Sequence, residues 1–238
     1  MPTLNSASCP APASNSLLQG VLWDMDGTLL DTEPYWMAAE GELVAEFGGS
    51  WSDDDALALV GNALPDSALV LQRAGVKLSE REIIDRLTTR VMEGINQHIE
   101  WRPGALELLE ELHQAGIVCG LVTMSESAMA TQILARLPKK YFAFQVTGDQ
   151  VSNGKPHPEP YLVGLKKLAE LVPDLDVTRV VGLEDSFPGI SSAAAAGLKA
   201  VLIPHIAAVP ESANWHLVES LTQVNVETLC TLTGIGAS

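Results

Sequence analysis

The chain has 238 residues, 47% of them hydrophobic, which suits one large domain or a core domain carrying a smaller insertion. Thirty acidic residues against fourteen basic ones give a formal net charge of -16, which repels nucleic acid and anionic membrane surfaces, so neither is expected as a partner. No apolar run reaches the roughly 18 residues that a membrane span needs.

Residues 1–16, MPTLNSASCPAPASNS, are small, polar and proline-containing, with neither a basic start nor an apolar centre. They are expected to form a disordered tail and not a secretory signal. The three cysteines, Cys9, Cys119 and Cys230, are widely spaced and odd in number, with no C-x-x-C pair. They point to a reduced, cytoplasmic setting, with Cys119 buried inside a strand.

Residues 21–32 read VLWDMDGTLLDT. Val21, Leu22 and Trp23 run directly into Asp24 and Asp26, followed by Gly27 and Thr28, the pattern of a buried strand that ends in a charged loop. In an open parallel sheet, ligands collect beyond the carboxyl ends of the strands, where both acids would stand. A calcium loop fails on spacing. Its glycine should follow the first Asp by five positions and its Glu by eleven, whereas Gly27 follows Asp24 by three and Tyr35 holds the Glu position. A plain turn is the other reading of the same residues.

From residue 32 to about 99 only helical patterns occur. Ser79 and Glu82 form a capping box, and Ile83, Leu87, Val91 and Ile95 recur every fourth residue as one apolar face. Leu43, Val44 and Phe47 mark an earlier helix, and shorter segments follow Ser52 and Pro65. So long a stretch without a strand is too long for a crossover and reads as an inserted helical subdomain over residues 32–101. Residues 17–31 and 102–238 then make the core. Pro103 is expected in the first turn of a helix that buries Leu106, Leu109 and Leu112.

Beyond that point strands and helices alternate. Strands are expected over residues 117–122, 145–147, 180–183 and 200–203, and helices over 127–137 and 190–196, the latter stopped by Gly197. Tyr161, Leu165, Leu168 and Val172 mark another helix, and the end of the chain reads as helical. Alternation of this kind implies a doubly wound parallel sheet, an α/β Rossmann-like core with the all-helical insertion placed after its first strand. Asp24 with Asp26, Thr123, Lys155, and Glu184 with Asp185 all fall at or just after strand ends and would share one sheet edge. Taken singly each has a bland reading: Thr123 as a strand end, Lys155 as a solvated lysine, Glu184 and Asp185 as helix caps.

Together these residues resemble the haloacid dehalogenase superfamily of phosphohydrolases, in the branch that includes the β-phosphoglucomutase-like enzymes. DMDGT is similar to the first family motif, LVTMS to the second, GKPHPEPY to the third and LEDSFPGISSAAAAG to the fourth, with the helical insertion where that branch carries its cap. Met124 stands where the second motif often has Asn. The resemblance implies Asp24 as nucleophile, Asp26 as general acid and base, and an aspartyl phosphate between them. It implies magnesium held by Asp24, the Asp26 carbonyl, Asp185 and Glu184, and phosphate bound by Lys155, Thr123, Met124 and the amides of Gly27 and Thr28. Dehalogenating members lack the second Asp, so Asp26 favours phosphate esters.

Closure of the cap, hinged near residues 31–33 and 100–103, would exclude water. Substrate choice would lie with Gly61, Asn62, Ala63 and Leu64, and Trp36 either contacts substrate or packs the core of the cap. The expected activity is phosphate release from a small phosphorylated metabolite by a monomer. A phosphomutase of the β-phosphoglucomutase type and a silent phosphate-binding domain are the alternatives. A mutase needs a second phosphate site, which this branch builds from basic residues in the cap loop and a His in the first cap helix. Here residues 59–67 read LVGNALPDS, without Lys, Arg or His, and Trp36 holds the His position. His157, in a Pro-His-Pro setting, is expected to be a solvated and dispensable loop residue.

Overall fold

The computed structural model describes residues 18–233; the tail expected over residues 1–16 lies outside them. Strand β1 (Gly20–Trp23) is buried along its whole length, as an all-apolar strand must be when both sheet faces are covered. Its residues divide between two layers. Val21 and Trp23 belong to one apolar cluster, and Leu22 to the other on the opposite face.

The chain then leaves the sheet for four helices, α1 (Glu33–Glu46), α2 (Asp53–Leu57), α3 (Leu64–Arg73) and α4 (Glu80–Gln97). Ser79 and Glu82 form the expected capping box, and Ile83, Leu87, Val91 and Ile95 are buried. Ser52 and Asp55 form a second box that starts α2. The cap shares its apolar interior with one core layer, since Leu43, Val44 and Ile83 belong to the same cluster as Leu29, Leu30 and Trp23.

The two crossings between cap and core are joined to each other. Asp31 N–H donates to Glu100 O at 2.8 Å and Arg102 N–H to Leu29 O at 3.0 Å, with Leu30 and Trp101 paired as an antiparallel bridge. His205 lies between the Asp31 carboxylate (2.9 Å) and the Arg102 guanidinium (2.7 Å), tying both crossings to the core.

After α5 (Ala105–Gln114), the core alternates through β2 (Val118–Val122), α6 (Ser127–Leu134), β3 (Phe142–Val146), α7 (Glu159–Ala169), β4 (Val180–Glu184), α8 (Phe187–Ala195) and β5 (Lys199–Leu202). The strands form one parallel sheet in the order β3-β2-β1-β4-β5-β6, with β6 (Trp215–Leu217) at the edge and α9 (Val226–Leu232) closing the described chain. β1 is central. Trp23 is in register with Leu121 of β2 and Leu183 of β4, so the residues that follow these three strands emerge along one edge.

Several expectations need correction. Pro103 precedes α5 instead of lying in its first turn: Gly104 caps the helix at φ +88°, and a Cβ there would meet Thr222 N at 2.5 Å. The buried stripe is accordingly Ala105, Leu108, Leu109 and Leu112, with Leu106 only half-buried. The end of the chain is not purely helical, because β6 pairs with β5 there. β3 begins at Phe142, and α6 ends at Leu134. No helix of the described residues is long and apolar enough to cross a membrane.

Ile83 has no exposed surface and belongs to the apolar cluster that the cap shares with the core. Ile83→Ala is expected to destabilise the whole protein by about 2–5 kcal/mol in urea denaturation. A loss below about 1 kcal/mol would show that the cap does not share the cooperative core.

Candidate active site

Asp24 follows β1 and is tied to β4 by its amide, which donates to Leu183 O at 3.0 Å. Glu184 and Asp185 leave β4 beside it. Asp24, Glu184 and Asp185 each offer a carboxylate oxygen, all within 4.8 Å of one another, and all three are buried. Lys155 reaches in from the loop before α7: its Nζ is 2.6 Å from Asp24 Oδ1, 2.6 Å from Glu184 Oε1 and 3.0 Å from Val122 O. Tyr161, read from sequence only as part of an apolar stripe, donates its hydroxyl to Glu184 Oε1 at 2.6 Å.

Two glycines make this packing possible. A Cβ on Gly27, whose φ is +81°, would fall 2.1 Å from Asp185 Oδ2, and one on Gly189 would fall 1.9 Å from Glu184 Oε2. Glu184 Oε2 has no hydrogen-bond partner among the described residues.

Three carboxylates against one ammonium leave a formal charge of -2 in a buried space. Burial, reinforced by Glu184, pushes Asp24 up to about 8 although Lys155 opposes the shift. Burial likewise holds Asp185 well above the usual carboxylate range. Burial works against the Lys155 charge, but Asp24 and Glu184 outweigh it and hold the ammonium above its ordinary value. A divalent cation would bring the count to zero, and hard carboxylate oxygens, one of them unpartnered, are a donor set that magnesium accepts.

Asp26 points away from this cluster. Its Oδ1 accepts from Thr32 Oγ1 (2.7 Å) and Trp36 Nε1 (3.1 Å), and its Oδ2 from Thr123 Oγ1 (3.1 Å) and Ser125 Oγ (2.8 Å). Trp36 therefore touches the second aspartate itself, and Ser125 joins a set from which sequence reading had omitted it. The Thr123 hydroxyl also accepts from Ser125 N–H at 3.0 Å. The Gly27 amide, expected to bind phosphate, is instead engaged within the loop, donating to Leu30 O at 2.9 Å. Thr28 Oγ1 donates to Asp185 Oδ1 at 3.4 Å. Met124 is buried, and its Sδ lies 3.3 Å from the Lys155 amide.

Between these groups and the cap lies a cavity of about 60 Å³, small beside the ~300–1,000 Å³ of typical ligand sites. Gly61, Asn62, Leu64 and Trp36 line it, together with Glu33, Met37, Glu40 and Ser67, which sequence reading missed. Ala63 does not line it. A Cβ on Gly154 would meet the Ala63 Cβ at 2.7 Å, so Ala63 instead seats the cap loop on the loop that carries Lys155. Gly61 does the same on the other side, with φ +78° and space for a Cβ denied by Ser186 Oγ at 2.3 Å. The cap is thus closed on the core. His157 is exposed, as expected.

Burial pushes Glu40 from 4.5 up to about 8. The folded protein therefore binds a proton there that the unfolded chain releases, and stability drawn from this site is greatest at low pH, falls as pH rises between about 4.5 and about 8, and then levels off. Glu40→Gln is neutral throughout. Its melting temperature relative to the parent should climb between pH 5 and pH 8, and a pH-independent difference would contradict the shift.

Residues 21–203 match the family model described as haloacid dehalogenase-like hydrolase. The chain is 32% identical over 189 residues to the phosphorylated carbohydrates phosphatase of Thermotoga maritima, covering 77% of this chain and 84% of that protein. It is 31% identical over 207 residues to the N-acetylmuramic acid 6-phosphate phosphatase of Pseudomonas aeruginosa, covering 83% and 88%. Among solved structures it resembles CbbY from Rhodobacter sphaeroides in complex with phosphate, at 25% identity and a TM-score of 0.77, covering 87% of this chain and 96% of the other. With its parallel-sheet core, inserted helical cap and matched motifs, the chain belongs to the haloacid dehalogenase-like hydrolases.

Proposed function

We propose that the chain is a magnesium-dependent phosphatase that hydrolyses a small phosphorylated carbohydrate through an aspartyl phosphate on Asp24. The observation that carries this reading is the buried cluster of Asp24, Glu184 and Asp185 about Lys155, with a second aspartate, Asp26, two residues from the first. The names of the Thermotoga and Pseudomonas relatives support the substrate class. Asp24, Glu184, Asp185 and the Asp26 carbonyl would hold magnesium, which when bound supplies positive charge against the phosphoryl oxygens.

In the first step a carboxylate oxygen of Asp24 forms a bond to phosphorus as the ester P–O bond breaks, and Asp26 gives its proton to the departing alkoxide. In the second, Asp26 takes a proton from water, whose oxygen attacks phosphorus and frees Asp24 and inorganic phosphate. Lys155, fixed against Asp24, meets the phosphoryl oxygens with its charge. The amides of Thr28 and Met124, which make no hydrogen bond among the described residues, are available as further donors. Asp26 serves this role once an oxygen turns from the Thr123 and Ser125 hydroxyls toward the substrate. Cys119 and Cys230 are free thiols, in keeping with a cytoplasmic setting.

A phosphomutase reading finds less support. Lys155 is the one cation lining the pocket among the described residues, and it is committed to Asp24 and Glu184. The cap's cations lie elsewhere: Arg86 and Arg90 pair with Glu46, Arg81 with Asp85 and Glu126, and Arg73 and Lys77 are exposed. A second phosphate would lack charge-assisted hydrogen bonds worth roughly 1.5–3 kcal/mol each.

Magnesium-dependent release of phosphate from p-nitrophenyl phosphate and a panel of sugar phosphates is expected. Turnover of none of them by folded protein would leave only a binding domain. Formation of glucose 6-phosphate from glucose 1-phosphate, faster than phosphate release, would favour the mutase.

Calorimetric titration separates the roles of two residues. Asp185→Ala should weaken magnesium binding by about tenfold or more through loss of a carboxylate ligand, whereas Lys155→Ala, which removes only a competing positive charge, should bind magnesium at least as tightly as the parent. Equal losses in both would count against the assignment.

A further inference from the structure

The cap half of the pocket holds two carboxylates for which the hydrolytic chemistry has no use. Glu33 and Glu40 lie seven residues apart on α1, with Trp36 and Met37 between them, so that all four share one helix face and all four line the pocket. Each glutamate is only 5% exposed. Neither is paired with a cation among the described residues. Glu40 has the Trp51 indole beside its carboxylate, but among the described residues its Oε2 has no hydrogen-bond partner and the Glu33 carboxylate makes no hydrogen bond.

Polar groups buried without partners are costly, and Leu or Met would fill either position better if packing were the only demand. Asn62 and Ser67 add further polar atoms to the same side of the cavity.

We infer that Glu33 and Glu40 are specificity-determining residues: they accept hydrogen bonds from the hydroxyls of an uncharged polyol or sugar chain whose phosphate lies at Asp24. The inference rests on the phosphatase reading. A carboxyl group accepts from a hydroxyl in either protonation state. A substrate bearing a second phosphate or a carboxylate finds no cation on this side of the pocket among the described residues, and an alkyl chain leaves the Glu33 carboxylate and Glu40 Oε2 buried without a hydrogen bond. Discrimination of that second kind is large, because the loss falls on buried carboxylate oxygens that have no hydrogen-bond partner among the described residues.

The test compares hydrolysis of D-glucitol 6-phosphate with that of n-hexyl phosphate, a chain of equal length without hydroxyls. Four proteins are assayed: the parent, Glu33→Met, Glu40→Met, and Glu42→Met as a control on the outer helix face, where Glu42 is 69% exposed. The parent is expected to favour the polyol ester in kcat/KM by about a hundredfold or more. Each of the two pocket variants should cut that preference by about tenfold or more, chiefly through KM for the polyol ester, and Glu42→Met should leave it within about twofold.

Release of p-nitrophenol from p-nitrophenyl phosphate reports the core chemistry separately. If no ester is hydrolysed, the phosphatase reading falls and the inference with it. If p-nitrophenyl phosphate is hydrolysed but the parent shows no preference, or both pocket variants keep the preference, the inference alone is overturned. Should a Met variant fail to fold, the parent's discrimination between the two esters still decides.

Discussion

The structure depends on keeping three carboxylates and one ammonium together away from water. Asp24, Glu184 and Asp185 are contributed by two adjacent strands, and Lys155 by a loop that the sheet brings to the same edge. Buried charge is expensive unless every member has partners. Much of the local sequence serves that need: Tyr161 and Val122 O complete the shells of Glu184 and Lys155, and Gly27 and Gly189 let backbone approach where a side chain would collide. The excess negative charge that remains suits a divalent cation, which on the proposed reading prepares the site for a phosphoryl group.

Asp26 connects this centre to the cap. Its carboxylate is held on one side by Thr123 and Ser125 of the core and on the other by Thr32 and Trp36 at the start of the cap. Cap position and the orientation of the second aspartate are therefore mechanically linked. Gly61 against Ser186, Ala63 against Gly154 and the exposed Arg81–Glu126 pair close the cap on the core. Surface pairs of this kind contribute little, about 0–1 kcal/mol, so closure rests on the shared apolar interior and the close contacts that the glycines permit, and not on charge. The narrow cavity beneath implies that substrate enters with the cap open.

The central part of this architecture was legible because its signals are strong. A run such as Val21 to Trp23 that ends in two aspartates admits few other readings, and Ser79 with Glu82 announces a helix that the structure bears out. What escaped was weaker or depended on the third dimension. β6 has three residues at the sheet edge, its side chains half-buried or exposed, so no apolar alternation marks it. Gly104 moved the start of α5 and with it the stripe that had been placed on Leu106, since a cap at positive φ cannot be told from an interior glycine by spacing. Glu33 and Glu40 look like ordinary surface acids of a helix, and only the fold shows that their face is turned inward. That Gly27 spends its amide on Leu30 is likewise a matter of loop geometry that no motif encodes.

The central claim is that Asp24 carries the phosphoryl group, and trapping the phosphoenzyme tests it most directly. The Asp26→Asn variant, which retains the nucleophile but cannot activate water, is incubated with magnesium and an activated phosphate ester, labelled at phosphorus, whose leaving group departs without a proton, then quenched in acid and digested for peptide mapping. One equivalent of label on the peptide containing Asp24, absent when Asp24→Asn is also introduced, is the predicted result. Label on any other residue, or turnover without a covalent intermediate, would contradict it.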